Sequence, residues 1–228
     1  MMIELKEMCE RWSMNIRGVI HVGAWEGCET KAYSDLGIKD VVLIEANPQR
    51  YQNLLETLQT GRHCVWGVPL KYEQLPQSNA EIMKGYIAHN YTITDRVGTI
   101  VFNLSDYDGG TDSIFQINDW GKDSSWVPYQ HTAKVEVPTT TLDNLIGEDE
   151  RYNFLNIDVE GAELLVLKGA EKVLESIDYI LLETQDKVRF EGSCTREELT
   201  EYLHTKGFVL VNYFDTGKQW GDCLFIKQ

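Results

Sequence analysis

The sequence has few basic residues and no long apolar run. Its 228 residues include 21 Lys or Arg against 36 Asp or Glu, which gives a net charge of −15. A surface this acidic repels phosphate backbones and anionic lipid, so we expect neither nucleic acid nor a membrane as a partner. No apolar run approaches the length of a membrane-spanning helix, and the N-terminus has no apolar signal core. These absences predict a cytoplasmic protein.

Paired cysteine motifs are also missing. The five cysteines are scattered along the chain, and no two of them form a C-x-x-C pair. This pattern indicates neither a zinc site nor a disulfide framework, and it predicts a reducing compartment.

The chain does contain enough apolar residues for one full core. Hydrophobic residues make up 43% of the sequence, which suits one globular domain. We predict a single domain over residues 1–228 that begins with a helix within residues 1–16. We expect residues 66–133 to be an insertion that forms a lid or a substrate-binding region.

Short apolar runs alternate with helical patterns. The runs at 19–22 and 41–45 are each followed by residues with helical spacing, and the same order returns at 154–158 and 161–175. Strands that alternate with helices usually pair in parallel, so this order predicts an α/β fold with helices on both faces of a sheet. Two further apolar runs, within residues 208–226, predict a final antiparallel hairpin.

The middle of the chain breaks this alternation. Residues 91–94, 99–104 and 134–137 alternate in the manner of antiparallel strands. Between them lies an aromatic-rich stretch. We expect it to form one wall of the substrate site, because aromatic rings offer flat contact surfaces with polar tips. Its aromatic residues are Tyr107, Phe115, Trp120, Trp126 and Tyr129.

A glycine-rich turn joins the first predicted strand to the following helix. Its sequence, from His21 to Gly27, is HVGAWEG, a G-x-x-x-G pattern that differs from the G-x-G-x-x-G of dinucleotide-binding folds. Such a turn lets a ligand approach the backbone and the helix N-terminus. Glu45 ends the second strand about 20 residues later, where an acid can accept hydrogen bonds from ribose hydroxyls.

Carboxylates follow the predicted strand at 154–158. Asp158, Glu160 and Glu163 stand close together in the chain, and Glu183 ends the next strand. The carboxyl ends of parallel strands meet at the ligand-binding edge of an open sheet, where desolvation makes carboxylates costly. Several of them at one edge indicate a cationic ligand, a bound metal or a general base, and these alternatives stay open at this point.

Four segments together resemble the FkbM-type family of S-adenosylmethionine-dependent methyltransferases: HVGAWEG, IEANP, VPTTTLDNL and LNIDVEGAELLVLKGA. The resemblance spans residues 17–228. It implies the class I methyltransferase fold, a Rossmann-like three-layer sandwich around a mostly parallel seven-stranded sheet with an antiparallel last strand. Two positions depart from the family pattern: His21 stands where the family has Asp, and Asp112-Ser113 replaces a pair of serines.

The resemblance also implies a place for each part of the cofactor. The glycine turn would line the methionine part, Glu45 would bind the ribose, and Ala46 and Asn47 would lie beside the adenine. Asp158 and Glu160 would lie near the sulfonium, whose positive charge would account for the carboxylates. The full cofactor-binding set that the resemblance implies is Gly23, Ala24, Glu26, Gly27, Glu45, Ala46, Asn47, Thr94, Asp95 and Asp158.

The predicted reaction is O-methylation of a hydroxyl, with a sugar or glycan as the first choice of acceptor. An alcohol gains from a base positioned at the point of attack, and the candidates are Asp158, Glu160 and His131. A divalent metal, Mg or Mn, held by Asp158 and Glu183 is the alternative way to activate the hydroxyl. Two other functions stay open: an NAD-dependent Rossmann oxidoreductase, and a module that binds S-adenosylmethionine without catalysis.

Overall fold

The computed structural model describes residues 4–65, 71–106, 110–124 and 130–228. The strands are β1 (Gly18–Val22), β2 (Asp40–Ile44), β3 (Arg62–Val65), β4 (Lys71–Gln74), β5 (Ile87–His89), β6 (Thr92–Ile93), β7 (Gly98–Ser105), β8 (His131–Thr140), β9 (Phe154–Ile157), β10 (Tyr179–Gln185), β11 (Phe208–Asp215) and β12 (Trp220–Lys227). The helices are α1 (Leu5–Trp12), α2 (Thr30–Asp35), α3 (Pro48–Thr60), α4 (Gln77–Met83), α5 (Asp119–Ser124), α6 (Leu142–Leu145), α7 (Glu163–Lys168), α8 (Val173–Ser176) and α9 (Arg196–Thr205).

A seven-stranded sheet forms the centre of the fold. Its strand order is β11-β12-β10-β9-β1-β2-β5. The pairs from β10 through β9, β1 and β2 to β5 are parallel, whereas β12 pairs antiparallel with both β10 and β11. The last strand of the chain therefore inserts between β10 and β11. This arrangement confirms the predicted class, an α/β fold with a mostly parallel sheet and an antiparallel last strand.

The central strands are buried because helices cover both faces of the sheet. All residues of β1 and of β9 are buried. One apolar cluster, which includes Val22 and Ile157, packs against α7, α8 and α9. The other, which includes Leu43 and Phe154, packs against α1, α2 and α3. Each buried aliphatic or aromatic side chain contributes roughly 1.5–3 kcal/mol to folding, so these two clusters hold the strand ends in register.

Helix α3 begins directly after β2 and is capped by Asn47. The side-chain oxygen of Asn47 accepts hydrogen bonds from the amides of Gln49 and Arg50, at 2.9 and 3.3 Å. Pro48 takes the first helical position, where a missing N–H costs nothing. Local sequence therefore sets where the chain turns after Glu45.

Two local expectations were wrong. Residues 161–175 form two short helices, α7 and α8, instead of one. The break follows Gly169, where a Cβ would lie 2.2 Å from the carbonyl oxygen of Thr94, so a close approach of two backbone segments ends the helix. In the small sheet β6-β8-β7, strands β7 and β8 are antiparallel as expected, but β6 pairs parallel to β8. Strand β5, within residues 66–133, belongs to the central sheet because it pairs with β2.

A disulfide joins Cys28 to Cys64, whose Cα atoms are 5.0 Å apart. This corrects the expectation that the cysteines are unpaired. The two residues are 36 positions apart, and only the packing of β3 near the start of α2 brings them together. The cysteine pattern consequently gives no support for a reducing compartment. No helix among the described residues has the length and apolar character needed to cross a bilayer.

Candidate active site

One cleft opens at the carboxyl ends of β1, β9 and β10. Its volume is about 440 Å³, including space open to solvent. Because parallel strands end at the same edge, the side chains that follow them converge here, as ligand sites of open α/β sheets do. The lining residues are His21, Gly23, Trp25, Glu29, Asn156, Ile157, Asp158, Leu181, Glu183 and Asp222.

The glycine turn lies directly against the acidic strand end. The amides of Gly23 and Ala24 both donate to the carbonyl oxygen of Ile44, at 2.9 and 3.0 Å. Gly23 has a φ of +85°, and a Cβ there would lie 1.7 Å from the carbonyl oxygen of Asp158. Trp25 also has a left-handed backbone, with a φ of +45°. Such strain in a non-glycine residue is typical of functional sites.

Glu45 joins the glycine turn to the start of α3. Its two carboxylate oxygens accept hydrogen bonds from the amides of Trp25 and Asn47, both at 2.7 Å. Burial raises the pKa of Glu45 to about 7, although the two amides act in the opposite direction. Each carboxylate oxygen has a further lone pair, so Glu45 can still accept hydrogen bonds from ligand hydroxyls.

Asp158, Glu160 and Glu183 form a carboxylate cluster, in which one oxygen of each lies within 4.8 Å of the others. Burial is the main reason why all three pKa values are raised, that of Glu160 to about 7. The charge of Glu160 raises the pKa of Asp158 and Glu183 further, and Arg189 lowers that of Glu183. Asp158 is nevertheless exposed to solvent, which weakens the effect of burial on its pKa.

Glu160 combines a strained backbone with an unpaired oxygen. Its φ is +52°, and the Ser113 hydroxyl holds its carbonyl oxygen at 2.7 Å. Its Oε2 atom is buried and has no hydrogen-bond partner in the described part of the chain. A buried oxygen without a partner costs about 1–3 kcal/mol, which a ligand proton or a cation would offset.

Asp222 and Glu29 add to the negative charge of the cleft, and the sequence reasoning counted neither among the acids of the site. Asp222 on β12 stands opposite Glu183 on β10 in the antiparallel register. Like charges directly opposite each other destabilise a strand pair. Glu29 lines the cleft just before α2. The insertion of the last strand beside β10 was the signal that could have placed Asp222 here.

Neutral side chains form a hydrogen-bonded chain beneath the turn. The Tyr33 hydroxyl lies 3.2 Å from Nδ1 of His21 and 2.9 Å from Nδ2 of Asn156. His21 and Asn156 occupy partner positions on β1 and β9, so their side chains share a face of the sheet. Sequence reasoning treated His21 mainly as a departure from the family and gave no role to Tyr33 or to Asn156. Strand register was again the missing information.

Glu26 forms hydrogen bonds in a buried network of side chains, and it does not line the cleft. Its side chain is fully buried, and Oε1 takes hydrogen bonds from Arg50 at 2.5 Å and Asn53 at 2.7 Å. Oε2 accepts one from the Tyr72 hydroxyl at 2.8 Å. A buried carboxylate needs such partners, since an unpaired charge in the interior is very costly. The cofactor contact that the resemblance implies for Glu26 stays a prediction, and both of its carboxylate oxygens already have partners within the protein.

Of the predicted site residues, only Gly23, Asp158 and Glu183 belong to the lining of the cleft. Thr94, Asp95 and His131 lie outside it, with other contacts. Thr94 donates its hydroxyl to the carbonyl oxygen of Arg96 at 3.0 Å, and Asp95 is 3.8 Å from the Arg96 guanidinium. His131 begins β8, where its Nε2 lies 3.2 Å from the carbonyl oxygen of Thr111. Their roles as cofactor contacts and as a base stay predictions.

Asp112 links Glu45 to the middle segment. One of its oxygens accepts a hydrogen bond from Nδ2 of Asn47 at 2.6 Å, and the other accepts one from the amide of Ser105, also at 2.6 Å. Its charge contributes to the raised pKa of Glu45. Asp112, one of the residues that depart from the family pattern, therefore forms a hydrogen bond with Asn47, the cap of α3.

The aromatic wall can be described only at Phe115, which packs with Ile117 and Phe190. A Cβ on Gly192 would lie 3.0 Å from the Phe115 ring, so that glycine makes room for it. Outside the described residues lie Tyr107, Trp126 and Tyr129, together with the side chain of Trp120.

The sequence profile of the methyltransferase FkbM domain family matches residues 17–210. A curated protein described as the 2-O-methyltransferase NoeI of Sinorhizobium fredii is 31% identical over 140 residues, which are 58% of this chain and 56% of that protein. The chain thus spans little more than half of the length of this relative.

Two solved structures resemble the fold. A candidate tRNA (m1A22) methyltransferase from Streptococcus pneumoniae has a TM-score of 0.50 at 11% identity, over 100% of this chain and 71% of that chain. An uncharacterized protein from Listeria monocytogenes serotype 4b has a TM-score of 0.50 at 7% identity, over 92% of this chain and 61% of that chain. At these identities the likeness concerns the fold alone.

Proposed function

The chain belongs to the methyltransferase FkbM domain family, and on that premise we propose that it is an S-adenosylmethionine-dependent O-methyltransferase that acts on a sugar or glycan hydroxyl. The family supports methyl transfer. The choice of oxygen as the acceptor atom, and of a sugar as its carrier, is the finer part of the proposal.

The observation that carries the proposal is the concentration of carboxylates around one cleft. Four acidic side chains line it, and Glu160 adjoins them. Negative charges this close repel one another, and burial raises the pKa values of Asp158, Glu160 and Glu183, so their ionised forms are costly. S-adenosylmethionine carries a sulfonium and an ammonium group, so its positive end would offset the charge that the fold gathers here. A neutral ligand would leave this repulsion in place.

The surroundings of the cleft also suit the remaining parts of the cofactor. In this proposal Glu45 accepts hydrogen bonds from the ribose hydroxyls with its remaining lone pairs. Ala46 and Asn47 lie beside the adenine, and Gly23 and Ala24 bring the backbone close to the methionine part. The paired amides on Glu45 support this role, because they hold its carboxylate in a single orientation.

The bound cofactor supplies an electrophilic methyl group, which moves in line to the acceptor oxygen and leaves the sulfur as a neutral thioether. The residues of the chain have to hold the acceptor and take its proton. Asp158 or Glu160 accepts the hydroxyl proton as the new oxygen–carbon bond forms. A pKa near 7, as at Glu160, suits a base that works at neutral pH.

A divalent cation is a second candidate for the same carboxylates. Three oxygens within 4.8 Å of one another and the unpaired Oε2 of Glu160 fit a hard cation such as Mg²⁺ or Mn²⁺. Asp158 and Glu183 would hold it together with Glu160, and it would lower the pKa of the acceptor hydroxyl. Activity that persists after exhaustive chelation would rule out this version.

The proposal of a sugar acceptor has two supports. NoeI, the curated relative, is described as a 2-O-methyltransferase. The middle segment is rich in aromatic residues, which suit the faces of sugar rings. Nucleic acid is a poorer choice of acceptor because the net charge of −15 repels phosphates.

Calorimetry with S-adenosylhomocysteine tests the cofactor site. Glu45→Gln should weaken binding about tenfold or more, because a hydrogen bond to a charged group contributes roughly 1.5–3 kcal/mol. Glu197→Gln, at an exposed position of α9, removes the same charge and should leave affinity unchanged. Equal affinities in the two variants would show that Glu45 does not contact the cofactor.

Mass spectrometry of products from a panel of sugars, glycans and small alcohols tests the reaction. The parent should yield a product heavier by one methylene unit. Asp158→Asn should bind S-adenosylhomocysteine and lose turnover. Binding of NAD in place of S-adenosylmethionine would overturn the proposal, and tight cofactor binding without product from any acceptor would favour a non-catalytic module.

A further inference from the structure

A buried histidine lines the acidic cleft, and the proposed chemistry leaves it without a role. His21 is 2% exposed, and its Nδ1 lies 3.2 Å from the Tyr33 hydroxyl. Its Nε2 has no hydrogen-bond partner among the residues that the structure describes. Since Nδ1 is engaged beneath the turn, Nε2 is the ring nitrogen available to a ligand in the cleft.

The hydrogen bonds below the histidine favour one of its two neutral tautomers. Nδ2 of Asn156 donates to the Tyr33 hydroxyl oxygen at 2.9 Å. The hydroxyl can therefore give its own proton to Nδ1 of His21, which makes Nδ1 an acceptor. A neutral imidazole that accepts at Nδ1 carries its proton on Nε2. Burial lowers the pKa of His21, against the charge of Glu29, and so favours this neutral form.

Three of the backbone amides around this cleft are already engaged within the protein. The amides of Gly23 and Ala24 are used by a carbonyl oxygen of β2, and the amide of Trp25 is used by Glu45. The four acidic side chains of the lining accept hydrogen bonds when ionised and repel negative charge. An anionic group in the cleft is therefore drawn to Nε2 of His21.

We propose that His21 binds the carboxylate at the amino-acid end of S-adenosylmethionine through its Nε2–H group, and that Tyr33 and Asn156 position this donor. The inference rests on the proposed function. It assigns neighbouring groups of the ligand to different residues of the lining: the carboxylate to His21, and the ammonium on the same carbon, together with the sulfonium, to the acids.

Two ligands that differ only in the carboxylate test the proposal. Calorimetry compares S-adenosylmethionine with its decarboxylated analogue, which keeps the sulfonium and the amine. His21→Leu should weaken binding of S-adenosylmethionine roughly 10- to 150-fold, the equivalent of about 1.5–3 kcal/mol for a hydrogen bond to a charge. It should change the affinity for the decarboxylated ligand by less than about threefold, within the usual error of additivity.

Two further variants separate a binding role from a packing role. His21→Gln keeps an N–H donor, and it should retain more affinity for S-adenosylmethionine than His21→Leu does. Tyr33→Phe removes the group that holds Nδ1, and it should weaken only the carboxylated ligand, by less than His21→Leu. Binding of the decarboxylated ligand by each variant shows that its cleft is folded.

The outcomes distinguish this inference from the proposed function. If the parent binds neither ligand, the proposed function fails. If the parent binds both and His21→Leu weakens them equally, or weakens neither, the role of His21 is overturned and the proposed function stands. If His21→Leu binds nothing, equal effects on the two ligands in His21→Gln and Tyr33→Phe overturn the inference.

Discussion

We expect Gly23→Ala to push the glycine turn away from the acidic strand end. The added Cβ would lie 1.7 Å from the carbonyl oxygen of Asp158 and 2.7 Å from its carbonyl carbon. The amide of Asp158 donates to Val22 at 2.9 Å, so the strand end cannot retreat without losing a ladder hydrogen bond. Left-handed backbone costs alanine about 1–2 kcal/mol, and overpacking adds about 1–3 kcal/mol, of which we expect the upper end here.

Gly37→Ala is the matched control. Gly37 also has a left-handed φ, +72°, but a Cβ there meets nothing within 4 Å. Both variants bear the cost of the backbone, and only Gly23→Ala bears the overpacking. A difference of about 3 kcal/mol corresponds to a melting temperature roughly 6–12 °C lower for Gly23→Ala.

Thermal unfolding and calorimetry with S-adenosylhomocysteine measure the two effects. Gly23→Ala should also lose cofactor affinity, whereas Gly37→Ala should keep it. Equal melting temperatures in the two variants would refute the contact between the turn and Asp158. Parental affinity in Gly23→Ala would refute the assignment of the turn to the cofactor site.

The remaining predictions concern stability. Burial raises the pKa of Glu163 to about 7, so between pH 4.5 and 7 the native state keeps a proton that the unfolded state releases. The ligand-free protein should therefore lose stability as the pH rises through this range. In Glu163→Gln, denaturant unfolding should show this loss of stability reduced by up to roughly 3 kcal/mol. Cys64→Ser should lower stability by about 3–4 kcal/mol on the chain-entropy estimate, and reductant should destabilise the parent but not the variant. Thr195→Ala removes the capping box of α9 and should cost about 1 kcal/mol in denaturant unfolding, whereas no change would show that the cap is dispensable.

The order of strands and helices was predictable because its signals are local. The apolar runs that became β1, β2, β9 and β10 are short and bounded by turns, and each was recognisable within a few residues. The helix expected over 161–175 failed for the opposite reason. Gly169 caps its first half, at a position where the backbone of Thr94, a residue far away in the sequence, leaves no room for a side chain.

For the candidate site, too, some residues were predictable from local sequence and others were not. Glu45 and Asp158 were recognisable because each directly follows an apolar strand, and parallel strands bring such residues to one edge. Glu26 stands in the same glycine turn, yet its carboxylate is buried against Arg50. Pattern alone does not say which way a turn residue faces, because that depends on which partner the fold brings to it.

The sequence by itself determined the alternation of strands and helices, the glycine turn and the acids at the strand ends, since each depends on neighbours in the chain. Tertiary structure decided the pairing of Cys28 with Cys64 and the opposition of Glu183 and Asp222. It also decided the contact of His21 with Tyr33. The physical reason is that these contacts depend on strand order, register and helix packing, which arise from the burial of the whole apolar core and which no short segment specifies.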